Sequence, residues 1–190
     1  MKKVPLKEKR IELDSGLHVV STPIGNLRDI TLRAIDTLEA ADVILCEDKR
    51  VTQKLLSAYG IKNKMMLYHD HNGERQRPEI LKMLQDGQAV ALVSDAGTPG
   101  ISDPGYKLFC AVIDAGHKIY PVPGASAILS ALTGAGLSTD TFIFEGFLPN
   151  KSSARKARFK DLDQQSCTMV FYEAGNRVLK FCQDLQAVMG

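Results

Sequence analysis

The 190-residue sequence has no tryptophan, only four cysteines and 6% aromatic residues, and its 24 Lys+Arg nearly balance 22 Asp+Glu. Each shortage excludes something. Cys46, Cys110, Cys167 and Cys182 lie too far apart for zinc-ligand spacing or a dense disulfide framework. They read as buried, reduced thiols of a cytoplasmic protein. A net charge of +2 leaves any nucleic-acid binding to local patches. No apolar run reaches the length of a membrane span, so no membrane partner is expected. The charged segment 1–14 lacks the apolar centre of a signal peptide and is expected to be a flexible tail. Internal repeats and low-complexity segments are also missing. So are G-x-x-x-x-G-K-[ST] and, after the first predicted strand, G-x-G-x-x-G, so neither a nucleoside triphosphate nor a dinucleotide is favoured.

What is present is a rhythm of short apolar runs and amphipathic stretches. Strands are predicted at Leu17–Ser21, Val43–Glu47, Met65–Tyr68, Ala89–Ser94 and Lys118–Val122. Helices are predicted at Thr31–Ala40, Thr52–Ala58, Pro78–Asp86, Tyr106–Ala115 and Ser126–Leu132, several of them ending at glycine. Alternation of this kind implies right-handed βαβ units and a mostly parallel sheet, an α/β fold. After Gly134-Ala135-Gly136 come Phe142–Phe147 (strand), Lys151–Leu162 (helix), Thr168–Tyr172 (strand) and Arg177–Val188 (helix). The expected organisation is a tail over 1–14, an α/β domain over 15–136, and over 137–190 the truncated beginning of a second α/β domain, too short to close a core alone.

Ligands of open α/β sheets bind beyond the carboxyl ends of the strands, and three predicted loops there are unusual. Thr22–Leu27 (T-P-I-G-N-L) is a tight turn after the first strand. Ser94–Gly105 (S-D-A-G-T-P-G-I-S-D-P-G) follows the most apolar strand and is long for a connection in a compact domain. Its glycines let a ligand approach the backbone, and its acids can accept hydrogen bonds from a ribose diol or an amino group. Pro121–Ala127 runs from a strand end into a helix start with small residues. A ligand carrying ribose, adenine, amine and carboxylate but no phosphate suits these loops.

These loops, with Glu47-Asp48-Lys49-Arg50, Gly146-Phe147-Leu148-Pro149 followed by Lys151, and Phe171-Tyr172-Glu173, resemble the ribosomal RNA small subunit methyltransferase I family of the tetrapyrrole methylase superfamily. The resemblance runs in order from about Leu17 to the end of the chain. It implies two α/β domains, a homodimer, and S-adenosylmethionine as cofactor. It further implies methylation of a cytidine 2′-oxygen in small-subunit ribosomal RNA, with that RNA or the assembled small subunit as partner. By motif, Pro23, Gly25, Asp95, Ala96, Gly97, Thr98, Ala125, Ser126, Phe171 and Tyr172 are the expected cofactor contacts. The family usually has Thr where this chain has Lys49, which leaves the role of that loop open. A methylase of a tetrapyrrole or a diphthine-type substrate, or a cofactor- or RNA-binding module without turnover, are the alternative readings.

Removal of a proton from a ribose hydroxyl calls for a base. Glu47, Asp48 and Lys49, at a predicted strand end, are the candidates, and a salt-bridged helix start is the competing reading of the same residues. Lys151, Arg155, Lys156, Arg158 and Lys160 form a basic stretch with no acid among them. On a helix Lys151, Arg155 and Arg158 share a face, which suits RNA phosphates. His69-Asp70-His71 lacks a further ligand nearby and reads as a polar loop or RNA contact, so no metal is expected.

Overall fold

The computed structural model describes residues 11–69 and 72–190 and divides the chain into two compact units, one ending at Ser126 and one spanning Ala127–Gly190. The first unit holds five parallel strands: β1 (Gly16–Val20), β2 (Val43–Cys46), β3 (Met65–Leu67), β4 (Ala89–Leu92) and β5 (Ile119–Val122), in the order β3-β2-β4-β1-β5. Between them run α1 (Leu32–Ala40), α2 (Lys49–Ala58), α3 (Gly73–Gln85) and α4 (Tyr106–Asp114), with a 3₁₀ turn at Leu27–Asp29.

The central strands β1, β2 and β4 are buried along their whole length. That is why they read as continuous apolar runs rather than alternating ones. Successive side chains still go to opposite faces. Val20, Ile44, Cys46 and Ala91 pack against Ala34 and Leu38 of α1 and Leu55 and Leu56 of α2. Leu17, Val19, Val43, Leu45, Val90 and Leu92 pack against Ile80 and Leu84 of α3 and Leu108 and Val112 of α4. The result is a helix–sheet–helix sandwich. The adjacent strands β1 and β4 send their following helices to opposite faces, and this opens a crevice at their carboxyl ends.

Local chemistry sets the element boundaries. Thr31 caps α1 by accepting from the Ala34 N–H at 3.1 Å. Asp42 ties β2 to β4, its carboxylate accepting from the Ala89 N–H at 2.7 Å. Helix α3 begins five residues before the expected Pro78. The Asn72 and Gly73 N–H groups both donate to the His69 carbonyl, so the turn is already closed there. Pro78 then lies inside the helix on its exposed side.

In the second unit, α5 (Ala127–Gly134) precedes a parallel pair, β6 (Phe142–Phe147) and β7 (Thr168–Tyr172), joined by α6 (Ser152–Leu162) and followed by α7 (Val178–Met189). The division at Ser126 lies ten residues before the expected boundary at 136/137, so α5, with Leu132 its one buried residue, goes with the second unit. Residues 137–190, expected to be too short to close a core alone, hold one small cluster. Leu148, Phe159 and Phe181 are buried together, with Phe171, Leu185, Val188 and Met189 packed on them. Phe159, Phe171 and Phe181 meet edge to face with centroids 5.3–5.9 Å apart. Three large rings supply the buried area that fifty-odd residues of mixed composition lack otherwise.

Candidate functional site

Strands β1, β4 and β5 are neighbours, so the loops that leave them converge at one edge of the first unit. The loops after β1 and β4 are stitched directly. The Thr22 N–H donates to the Gly97 carbonyl at 2.8 Å, and the Gly97 N–H donates to the Thr22 carbonyl at 3.1 Å, an isolated antiparallel bridge. Gly97 makes it with φ +78°, a conformation that a side chain strains. The Thr22 hydroxyl donates to the Ser94 carbonyl at 3.1 Å, and the Ser21 and Thr98 hydroxyls are paired at 2.8 Å. The β5 loop closes in through Gly124, where a Cβ would sit 2.9 Å from the Ser21 Cβ.

The expected contact residues therefore divide. Asp95 and Ala96 are exposed at the crevice, and Gly25 is exposed on the first turn. Thr98, Ala125 and Ser126 are half-buried. Pro23 and Gly97 are buried, and the polar backbone groups of Gly97 are already used by Thr22. Gly97 thus shapes the loop from beneath rather than offering a free N–H. Asp95 accepts from the Asp48 N–H at 3.3 Å. Partial burial pushes its carboxyl above the ordinary range, and that hydrogen bond opposes the shift. Burial pushes Asp103 up as well, against a hydrogen bond from Ser94.

At Glu47–Lys49 the structure has the competing reading, a salt-bridged helix start. Helix α2 begins at Lys49, three residues before its expected start, and Asp48 is its N-cap. The Asp48 carboxylate accepts from the Arg50 N–H at 2.7 Å and from the Arg50 guanidinium at 2.6–3.1 Å. The side-chain and backbone hydrogen bonds from Arg50 hold its pKa at about 2. A carboxylate so committed is a poor proton acceptor at neutral pH. Glu47 is half-buried, and Lys49 is exposed on the first turn.

The five cations of the basic stretch do not form one face either. Arg155 is 3% exposed, and its guanidinium pairs with Asp184 and donates to the Pro149 carbonyl at 3.2 Å. Ser152 donates to the same Asp184 at 2.8 Å, and Lys156 approaches it at 3.4 Å. Arg158 forks onto Glu145 with two bonds of 2.9 Å. Glu145 is the extra residue where the β6–β7 register shifts, and the bulge gives its carboxylate to α6. The stretch lacks acids in sequence, but the fold brings acids to it from β6 and α7. Lys151 and Lys160 remain exposed, at opposite ends of the helix.

Phe171 lies in the aromatic cluster of its own unit, and Tyr172 packs edge-on to Phe144 at 4.9 Å. His69 is half-buried, while Asp70 and His71 fall outside the described residues. Among the described residues no three His, Cys, Asp or Glu side chains gather as a metal site. Nor is any described helix long and apolar enough to cross a membrane. Sequence reasoning named the loops that hold Thr22, Ser94 and Gly124 but picked out none of these, nor Ser21, as a site residue. Three hydroxyls closing otherwise apolar strands were the available signal, because a buried hydroxyl needs a partner.

The family model described as Tetrapyrrole (Corrin/Porphyrin) Methylases matches residues 16–190. The chain is 50% identical over 166 residues to the ribosomal RNA small subunit methyltransferase I of Mesorhizobium japonicum, covering 87% of this chain and 56% of that protein. It is 47% identical over 174 residues to the protein of that name from Escherichia coli O157:H7, covering 92% and 61%. The chain thus spans about 60% of the length of these curated relatives. In fold it is similar to the native uroporphyrin III C-methyl transferase of Thermus thermophilus, at TM-score 0.63 and 18% identity, over 90% of this chain and 76% of that one. The same enzyme complexed with S-adenosyl homocysteine matches at TM-score 0.62 and 18% identity, over 91% and 76%.

Proposed function

The chain belongs to the tetrapyrrole methylase family, and from that premise we propose that it acts in S-adenosylmethionine-dependent 2′-O-methylation of a cytidine ribose in small-subunit ribosomal RNA. The observation that carries this reading is the 45–50% identity to relatives named ribosomal RNA small subunit methyltransferase I. The uroporphyrin methylases share the fold at 18% identity, which does not favour a tetrapyrrole substrate. The bound partner is the RNA or the assembled small subunit, the working form is a cytoplasmic homodimer, and no membrane is involved.

The residues fit the cofactor. The crevice offers the exposed Asp95 carboxylate and the small Ala96 beside it, with no phosphate-binding motif. An acceptor in that position suits the hydroxyls of a ribose or the ammonium of an amino acid. Asp95, Ala96 and Thr98, with Gly25, Ala125 and Ser126 around them, would hold the molecule, and Gly97 and Pro23 would support the loops from below. Phe171 and Tyr172, also expected as contacts, pack within the second unit. When bound, S-adenosylmethionine supplies a methyl group already activated on a sulfonium. The protein's task is then alignment of the acceptor oxygen, which contributes roughly 7–11 kcal/mol in favourable cases. Asp48 is not assigned as the base, because its carboxylate caps α2 and binds Arg50.

Tritiated methyl transfer from S-adenosylmethionine tests this directly. The chain is expected to label the small ribosomal subunit at a ribose 2′-oxygen and to leave uroporphyrinogen unlabelled. Label on the tetrapyrrole, or none on the RNA, overturns the reading.

A further inference from the structure

We propose that Thr22, with Ser21 beside it, is the positioning residue that fixes the Asp95–Ala96 segment for the cofactor, although neither carries a chemical role itself. This rests on the cofactor reading above. Thr22 is 2% exposed and Ser21 3% exposed, just past the end of β1. A valine would fill the Thr22 position with the same shape. What the hydroxyl adds is a donor to the Ser94 carbonyl at 3.1 Å, shared with the Gly97 carbonyl at 3.5 Å. The Thr22 backbone holds Gly97 through both of its polar groups. Residues 94 and 97 are thus both fastened to Thr22, and the two residues between them, Asp95 and Ala96, are the ones left exposed. One residue on, Thr98 is tied to Ser21 at 2.8 Å, and Ser21 in turn lies under Gly124 of the β5 loop.

The arrangement is a clamp on both sides of the presented dipeptide. Its physical effect is preorganisation: a loop held in its binding conformation loses little further freedom when the ligand arrives. Without the Thr22 hydroxyl, the Ser94 carbonyl loses its donor, and a buried acceptor without a partner favours other loop conformations. Weakening the clamp should therefore reduce affinity while the sheet beneath stays intact.

Calorimetric titration of the 190-residue chain with S-adenosylhomocysteine provides the test. Thr22→Val is expected to raise Kd about tenfold, the size of one lost buried hydrogen bond. Thr22→Ser, which keeps the hydroxyl, should return Kd to within about twofold of the parent. Ile44→Val, a core change away from the loops, should lower the melting temperature and leave Kd unchanged, which separates positioning from general destabilisation. Parent-like affinity in Thr22→Val overturns the proposal and leaves the cofactor reading standing. Absence of binding by the parent chain overturns the cofactor reading and the proposal together. Should Thr22→Val fail to fold, Ser21→Ala carries the test through the tie to Thr98: binding about threefold weaker supports the clamp, and unchanged binding overturns it.

Discussion

Asp48 illustrates how one side chain's bonding decides its role. A carboxylate at a strand end beside a crevice invites a catalytic reading, but here it accepts from the first turn of α2 and from Arg50. Its pKa of about 2 lies below the ordinary 3.8. Ionised Asp48 is thus favoured in the folded state, so its stabilising contribution is complete above the ordinary value and is lost as pH falls through about 2. Titration of the Asp48 carboxyl by NMR should give a midpoint near that lower value. A midpoint at the ordinary value would mean that cap and ion pair do not form in solution. Asp95 shifts the opposite way, since burial outweighs the Asp48 N–H that it accepts.

At the scale of the element, α6 is the clearest case of tertiary context changing the meaning of a pattern. The basic stretch Lys151–Lys160 reads in sequence as a phosphate-binding surface, but Arg155 and Arg158 spend their charge on Asp184 and Glu145. Buried, paired arginine holds the helix to its neighbours; removing one partner strands the other. Arg155→Gln is therefore expected to lower the melting temperature and leave the salt dependence of RNA binding unchanged. Lys151→Gln with Lys160→Gln should do the reverse. If both lysines contact phosphate, the log–log slope becomes shallower by about 0.7–0.9 for each. Filter binding of small-subunit RNA over a salt series distinguishes the cases: an unchanged slope in the double lysine variant removes α6 from the RNA surface altogether.

For the whole molecule, the two units have separate hydrophobic clusters. The second cluster is small and depends on Phe159, which is fully buried against Phe171 and Phe181. Phe159→Ala should cost about 3–5 kcal/mol. That cost should fall on the second unit: hydrogen exchange of β6, β7 and α7 is expected to accelerate while the amides of β1, β2 and β4 keep their protection. Equal acceleration across both units would show that the chain unfolds as one.

The sequence by itself determined the α/β alternation, the parallel character of the sheet and the position of the loops at strand ends. These follow from local periodicity, from strands buried on both faces and from turn residues, all of which act over a few neighbours. It also singled out the loop after β4 that holds the exposed Asp95 and Ala96, because a long Gly/Pro-rich connection after a buried strand is a local signal. Only the tertiary structure decided that Thr22 and Gly97, 75 residues apart, form one bridge. It alone decided that Arg155 faces Asp184 from 29 residues away. Strand order sets the first of these and the packing of α6 on α7 the last. The partners of a buried donor or charge are fixed by such long-range placement, and nothing in its immediate neighbours specifies them.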